Sequence, residues 1–252
     1  MVMSADDRLT TIEYPDEDGK PMAEGDIQCE YLIYARKTLR LYYQSRSDVY
    51  VAGNLFIYYE QGNPEAVVAP DVFVVFGVPA GDRRSFKTWE EGDQTPDFVL
   101  EITSKNTRSQ DQGSKKGIYA FLGVKEYFQY DPTGDYLQPQ LQGLRLQEGN
   151  YYPIATFPLE NGWMIPSEVL GLDLRVQAGQ LRFYDPLTQQ KLLAHEELDL
   201  ALQQTEQARQ QAEQARQQAE ARANQEAAAR IAAEARIAEL EAKLRSVQPP
   251  EA

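Results

Sequence analysis

Apolar positions fall into three regimes along the chain: helical spacing first, then short runs that are continuous or alternating, and last a long stretch in which they are mostly alanine. The first regime follows a polar segment rich in Asp, Gly and Pro, "YPDEDGKPMAEGD". In "IQCEYLIYARKTLRLYYQ", Ile27, Tyr31, Tyr34, Leu39 and Leu41 sit roughly at helical spacing and predict an amphipathic helix. Strand-like runs come next: "DVYVAGNLFIYYE" from Asp48, "APDVFVVFG" from Ala69 and "DFVLEITS" from Asp97. A second helix is predicted in "DQGSKKGIYAFLGV", with Asp111 as N-cap and Ile118, Phe121 and Leu122 facing inward. The strand "KEYFQYDP" stops at Asp131-Pro132, and shorter β segments, "LQGLRLQ", "NYYPIA", "LGLDLRV" and "QLRFYDP", follow between Gly, Pro and Asn turns. The order helix, three strands, helix, strand predicts an α/β fold with a central mixed sheet flanked by helices.

Near residue 190 the composition changes, which divides the chain into a globular domain over 1–189 and a helical tail over 190–252. The tail, rich in Ala, Gln, Glu and Arg, has no Gly and no Pro before "QPPEA". "EQARQQA" occurs twice in succession from Glu206, so Ala208, Ala212, Ala215 and Ala219 form a narrow heptad stripe. Ile231, Ala235, Ala238, Leu240 and Leu244 carry it onward after a slip in register. Two readings stay open: a coiled coil that joins copies or docks a partner, and a single solvated helix. A homo-oligomer, a dimer through a sheet edge or through this tail, is the expected assembly.

Composition narrows the chemistry. With 252 residues, 42% hydrophobic and 25% charged, the chain has the profile of a soluble globular protein. No apolar run approaches the ~20 residues of a membrane span, and "MVMSADDRLTT" lacks the blocks of a secretory signal, so the expected location is cytoplasmic. One cysteine, Cys29, excludes an intramolecular disulfide and a cysteine metal cluster. The one histidine, His195, falls where a polar helix begins, which leaves carboxylates, lysines and hydroxyls to carry any chemistry. A net charge of −14 argues against a non-specific nucleic-acid coat. Locally, Arg83, Arg84, Lys87, Lys105, Arg108, Lys115, Lys116 and Lys125 gather in the segments around the candidate residues.

Two acidic residues stand out against the apolar pattern. Asp71 directly precedes the run Val72 to Phe76, and Glu101 interrupts "FVLEIT" between Leu100 and Ile102. An ionised carboxylate in apolar surroundings costs several kcal/mol unless it is paired or bound to a metal. Neighbouring strands carrying Asp71 and Glu101 would form an oxygen site suited to Mg²⁺ or Mn²⁺, with Lys115, early in the second helix, placed to stabilise charge on a phosphoryl group. A plainer reading fits the same residues: Asp71 caps a turn, and Glu101 and Lys115 form a buried ion pair.

The blocks "APDVFVV", "PDFVLEITSKNTRSQD" and "KKGIYAFLGVKEYFQYDP" resemble, in order, the signature of the Uma-two family of restriction endonucleases, within the PD-(D/E)XK nuclease superfamily. The match runs from about Tyr14 to Asp185 and includes Lys115, Tyr119, Gly123, Val124, Glu126, Tyr127, Asp131 and Pro132. The resemblance implies a restriction-endonuclease-like core and a metal-dependent endonuclease acting on DNA. Asp71 and Glu101 would be its metal ligands and Lys115 its catalytic lysine, with Mg²⁺ or Mn²⁺ as cofactor. In the superfamily motif a lysine follows the acidic ligand by two residues; here that place is Thr103, so the role passes to Lys115 or else to Lys105. Many members carry a histidine at the start of the first helix, where this chain has Gln28. The alternative is a non-catalytic scaffold that keeps the fold and works through its tail.

Overall fold

The structure, a computed structural model, describes residues 12–15, 25–104, 107, 109 and 113–247. Lys105, Arg108, Asp111 and most of the polar segment before the first helix lie outside the described residues. The chain divides into two compact units, Met1–His195 and Glu196–Ala252.

The first unit is built on a six-stranded sheet. Its strands are β1 (Val49–Ala52), β4 (Val72–Phe76), β6 (Phe98–Ile102), β7 (Glu126–Tyr130), β8 (Leu141–Gln147) and β9 (Asn150–Pro153), in the spatial order β1-β4-β6-β7-β8-β9. Only β6 and β7 run parallel; the other neighbours are antiparallel. A parallel pair needs a crossover, and helix α2 (Ser114–Phe121) supplies it. All five residues of β6, and all five of β7, are buried. That is why neither strand shows the inward–outward alternation of a half-exposed one, and why the polar residues in them, Glu101, Glu126 and Gln129, need partners inside.

Each face of this sheet has its own cover. On one side Val72, Val74, Phe98, Leu100 and Phe128 pack with helix α1 (Asp26–Tyr42) and with Ile165, Leu172, Leu174 and Phe183. The latter belong to an antiparallel four-stranded sheet, β10 (Phe157–Leu159), β11 (Gly162–Ser167), β12 (Leu172–Gln177) and β13 (Gln180–Tyr184). Phe73, Val75, Val99 and Tyr127, on the other side, pack with Tyr119 and Leu122 around α2 and with Ile57, Val68 and Phe86. These last three come from a small sheet of β2 (Ile57–Tyr58), β3 (Val67–Val68) and β5 (Phe86–Lys87).

The mixed sheet is present as expected, but helices supply only part of its cover. Much of it is β-structure, including β10 and β11, whose sequence carries little alternation. The run from Asp48 is not one strand: the chain leaves the central sheet at Gly53 and Asn54, the latter with φ of 53°, and resumes as β2 in a different sheet. Two helical faces also differ from the expected ones. In α1 the buried residues are Gln28, Leu32, Tyr34, Ala35, Thr38 and Leu39, so Tyr34 and Leu39 face inward as expected while Ile27 and Leu41 face solvent. In α2 the inward line is Lys115, Ile118, Tyr119 and Leu122, and Phe121, two positions past Tyr119, is 78% exposed. Charged and polar residues share the buried faces, so an apolar count alone misplaces the edges of both.

The second unit is essentially one helix, α3 (His195–Val247), 53 residues long. At a rise of about 1.5 Å per residue it extends for about 80 Å. Ile231, Ile237 and Leu240 are exposed along it, and Arg230–Glu234 and Lys243–Glu239 pairs one turn apart support it. No helix among the described residues is long and apolar enough to cross a membrane.

Candidate active site at the end of the parallel pair

Asp71 is the last residue before β4, and the β4–β6 register that pairs Val72 with Leu100 sets it beside Glu101. Two hydrogen bonds lock this arrangement. The Ile102 amide donates to Asp71 Oδ2 at 2.7 Å, and the Asp71 amide makes a long contact of 3.4 Å to Glu101 Oε2. The turn after β1 braces Asp71 from behind: the Asn54 amide donates to the carbonyls of Pro70 and Asp71 at 3.0 and 3.1 Å. Gly53 is required for that approach, because a Cβ there would lie 2.4 Å from the Asp71 carbonyl oxygen.

Glu101 shares its sheet face with Val99 and Asp71, the face covered by α2. It has no solvent exposure. Lys115 Nζ donates to its Oε2 at 2.9 Å, and the Tyr119 hydroxyl donates to Oε1. Lys115 and Tyr119 are one helical turn apart, so a single short helix delivers both donors. Gly123, at φ of 75°, ends that helix and turns the chain into β7. Beside Glu101 in register stands Gln129, buried, with its amide donating to the Tyr127 hydroxyl at 2.9 Å.

Burial drives the electrostatics. It pushes the Glu101 carboxyl up; the Lys115 ammonium opposes the rise, the Asp71 carboxylate adds to it, and the Tyr119 bond opposes it, leaving the pKa at about 7. The Tyr119 phenol is raised well above its ordinary value, first by burial and then by the charge of Glu101. Glu101 is therefore poised between its two protonation states near neutrality.

Thr103 is fully buried two residues beyond Glu101. Its Oγ1 has no hydrogen-bond partner among the described residues. The donor set suits a hard cation: two carboxylates from adjacent strands, and an orphaned hydroxyl next to them. No cluster of three or more His, Cys, Asp and Glu side chains forms among the described residues, so a cation here would have two carboxylates, with its other ligands drawn from hydroxyl or carbonyl oxygens, water and substrate.

The structure thus brings Asp71, Glu101 and Lys115 together. Gln28 lies on the buried stripe of α1, the helix that covers the opposite face of the sheet. The expected basic cluster is largely spoken for: Arg83 pairs with Glu91 at 2.6 Å, Lys87 with Glu90 at 3.1 Å, and Lys125 with Asp97 at 2.7 Å. The sequence reading gave Tyr119 no role, although its four-residue spacing from Lys115 signals a shared helical face. Gln129 had no such signal, because its place beside Glu101 depends on strand register.

The profile of the Uma2 family, described as "Putative restriction endonuclease", matches residues 11–177. Among solved structures, one described as a putative nuclease belonging to DUF820 from Anabaena variabilis ATCC 29413 is similar, with 15% identity and a TM-score of 0.39. That similarity covers 56% of this chain and 75% of the other. No curated protein matches the chain.

Proposed function

Since the chain belongs to the Uma2 family, we propose that it is a metal-dependent endonuclease that hydrolyses phosphodiester bonds in DNA at the Asp71–Glu101 pair. The observation that carries this reading is the fully buried Glu101, held at a pKa of about 7 between a carboxylate neighbour and a single lysine. Asp71 and Glu101 would hold Mg²⁺ or Mn²⁺. When bound, the cation supplies Lewis-acid polarisation of a phosphoryl oxygen and acidifies an attacking water.

The chain's own groups have separate tasks. Hydrolysis adds water to phosphorus and breaks the P–O bond to the departing sugar, whose oxygen ends protonated. Negative charge grows on the phosphoryl oxygens meanwhile, and the Lys115 ammonium, only 15% exposed, is positioned to stabilise it where water screens poorly. Tyr119 fixes the orientation of Glu101 through its hydroxyl. Asp71 is held by the Ile102 amide, so its carboxylate stays aligned without substrate.

Calorimetric titration of Mg²⁺ and Mn²⁺ into wild type and Glu101→Ala, followed by a plasmid-nicking assay on both, tests the reading. Binding and nicking should vanish together in the variant. Nicking at equal rates in both proteins, or neither signal in wild type, would remove it. A second reading rests on the exposed isoleucines and leucines of α3: copies of the chain associate through the tail as a coiled coil. An unchanged mass by light scattering after deletion of residues 200–252 would end that idea.

A further inference from the structure

A groove follows the outer edge of the central sheet. Among the described residues strand β1 is an edge strand, paired only with β4. Along it runs a cavity of about 290 Å³ lined by Arg40, Arg46 and Tyr50. A smaller recess of about 40 Å³ continues it, sharing Arg40 and Tyr50 and adding Arg36, Arg83, Asp82 and Gly53. Four arginines therefore line one continuous surface from Val49 to Gly53, a span of about 13 Å at about 3.3 Å per strand residue. Its inner end is the glycine packed against the Asp71 main-chain carbonyl, so the groove runs to the end of the sheet at which Asp71 stands, although neither lining includes a carboxylate of the site.

Three of the four arginines already face a carboxylate, two of them, Arg40 and Arg46, in exposed pairs of the kind that contribute little and that a phosphate can displace. Arg46 pairs with Asp48 at 2.7 Å and Arg83 with Glu91 at 2.6 Å, while Arg40 reaches the 94% exposed Asp82 at 3.5 Å. Arg36, one turn before Arg40 on α1, keeps its Nε buried with no hydrogen-bond partner among the described residues. A buried donor without a partner is costly, and an acceptor arriving in the recess would satisfy it. Burial raises the Tyr50 phenol, and the fields of Arg83, Arg36 and Arg40 oppose that rise, so all three cations act on one point of the groove.

We propose that this groove binds the phosphate backbone of the DNA strand next to the cleaved phosphodiester. The inference rests on the nuclease reading for its choice of ligand. A single small anion would need one arginine; a polyanion with repeating charges fits several guanidinium groups that line one groove. The groove also gives a strongly acidic protein a local place to meet DNA, which the net charge of −14 does not supply.

The test measures binding of a short fluorescein-labelled DNA duplex to the full-length protein by anisotropy, in chelator so that cleavage does not interfere. Wild type is compared with Arg36→Gln, Arg36→Lys and Arg40→Gln, with Arg236→Gln on α3 as control. Arg40 is half exposed on its helix, so its variant keeps the fold, checked by thermal melting. Arg36→Gln and Arg40→Gln should each weaken binding by about tenfold and reduce the salt slope by about 0.9 per lost contact. Arg36→Lys should restore most of the affinity, and the control should match wild type. Equal affinity and salt slope in wild type and the two glutamine variants, or no binding by wild type, would overturn the groove. Persistent nicking beside such a result would leave the nuclease reading standing; arginine-dependent binding with no nicking in Mg²⁺ would keep the groove and remove that reading.

Discussion

Glu101, near the C-terminal end of β6, and Glu126, at the N-terminal end of β7, are both without solvent exposure, and they sit on opposite faces of one parallel pair. Glu126 has a full set of donors. Arg145, directly opposite it on β8, reaches Oε1 through Nε at 3.2 Å and Nη2 at 2.8 Å; the Glu168 amide adds 3.1 Å, and the Ser167 hydroxyl takes Oε2. Because Ser167 ends β11, this carboxylate ties the central sheet to the four-stranded one. Glu101 meets Lys115, Tyr119 and a long contact from the Asp71 amide, and it faces the Asp71 carboxylate as well. A carboxylate surrounded by donors is a structural tie. One set beside a like charge, with its pKa lifted to about 7, is suited to take a cation or exchange a proton.

The contrast breaks most sharply if the two ends are exchanged in experiment. Asp71→Asn keeps an acceptor for the Ile102 amide, so it should leave unfolding nearly unchanged while lowering nicking at least about 10³-fold, roughly 4 kcal/mol in barrier. Arg145→Met should do the reverse: about 3–5 kcal/mol of stability lost in urea unfolding, because a buried charge loses its partner, with activity per folded molecule unchanged. Nicking lost in Arg145→Met protein that is still folded would erase the distinction.

Next in size is the effect of pH on stability. The ordinary Glu101 value of 4.5 rises to about 7 in the folded chain. Between those values the unfolded chain has released a proton that the folded chain keeps. The contribution is therefore complete below about 4.5 and is lost as pH rises through about 7, by about 3 kcal/mol. Urea midpoints at the two ends of that window should show this slope in wild type, and Glu101→Gln should flatten it.

Smaller still is Tyr119→Phe, which removes one hydrogen bond to the buried carboxylate. It should cost about 1–2 kcal/mol and move the acidic limb of the nicking profile to higher pH, because the ionised form of Glu101 loses support. An unmoved limb would take Tyr119 out of the site. Phe121→Ser should change unfolding by no more than about 0.5 kcal/mol, since that ring is 78% exposed; a larger loss would restore the inward Phe121 that the apolar pattern suggested.

Much of the site is readable in the chain because its signals are local. A carboxylate inside "FVLEIT" has to be compensated, an aspartate heads a buried strand, and a lysine and a tyrosine one turn apart share a helix face. The basic cluster was legible as composition only, and pairing with Glu91, Glu90 and Asp97 altered its meaning. Residues separated by a fold crossing gave no warning: Gly53 looks like any turn glycine until the Asp71 carbonyl is seen packed on it.

By itself, then, the sequence determined the strands β4, β6 and β7, the crossover helix between the last two and the change of character near residue 190, and it singled out Asp71, Glu101 and Lys115 as the candidates that the fold brings together. Each follows from period, propensity and the cost of an apolar environment for charge, which act over a few residues. Tertiary structure alone decided that Glu101 lies next to Asp71 and Gln129, that Glu126 is closed by Arg145 and Ser167, that β-structure supplies much of the sheet's cover, and that four arginines line one edge. Those facts depend on strand register and on which faces are buried, and both are set by contacts between segments far apart in the chain.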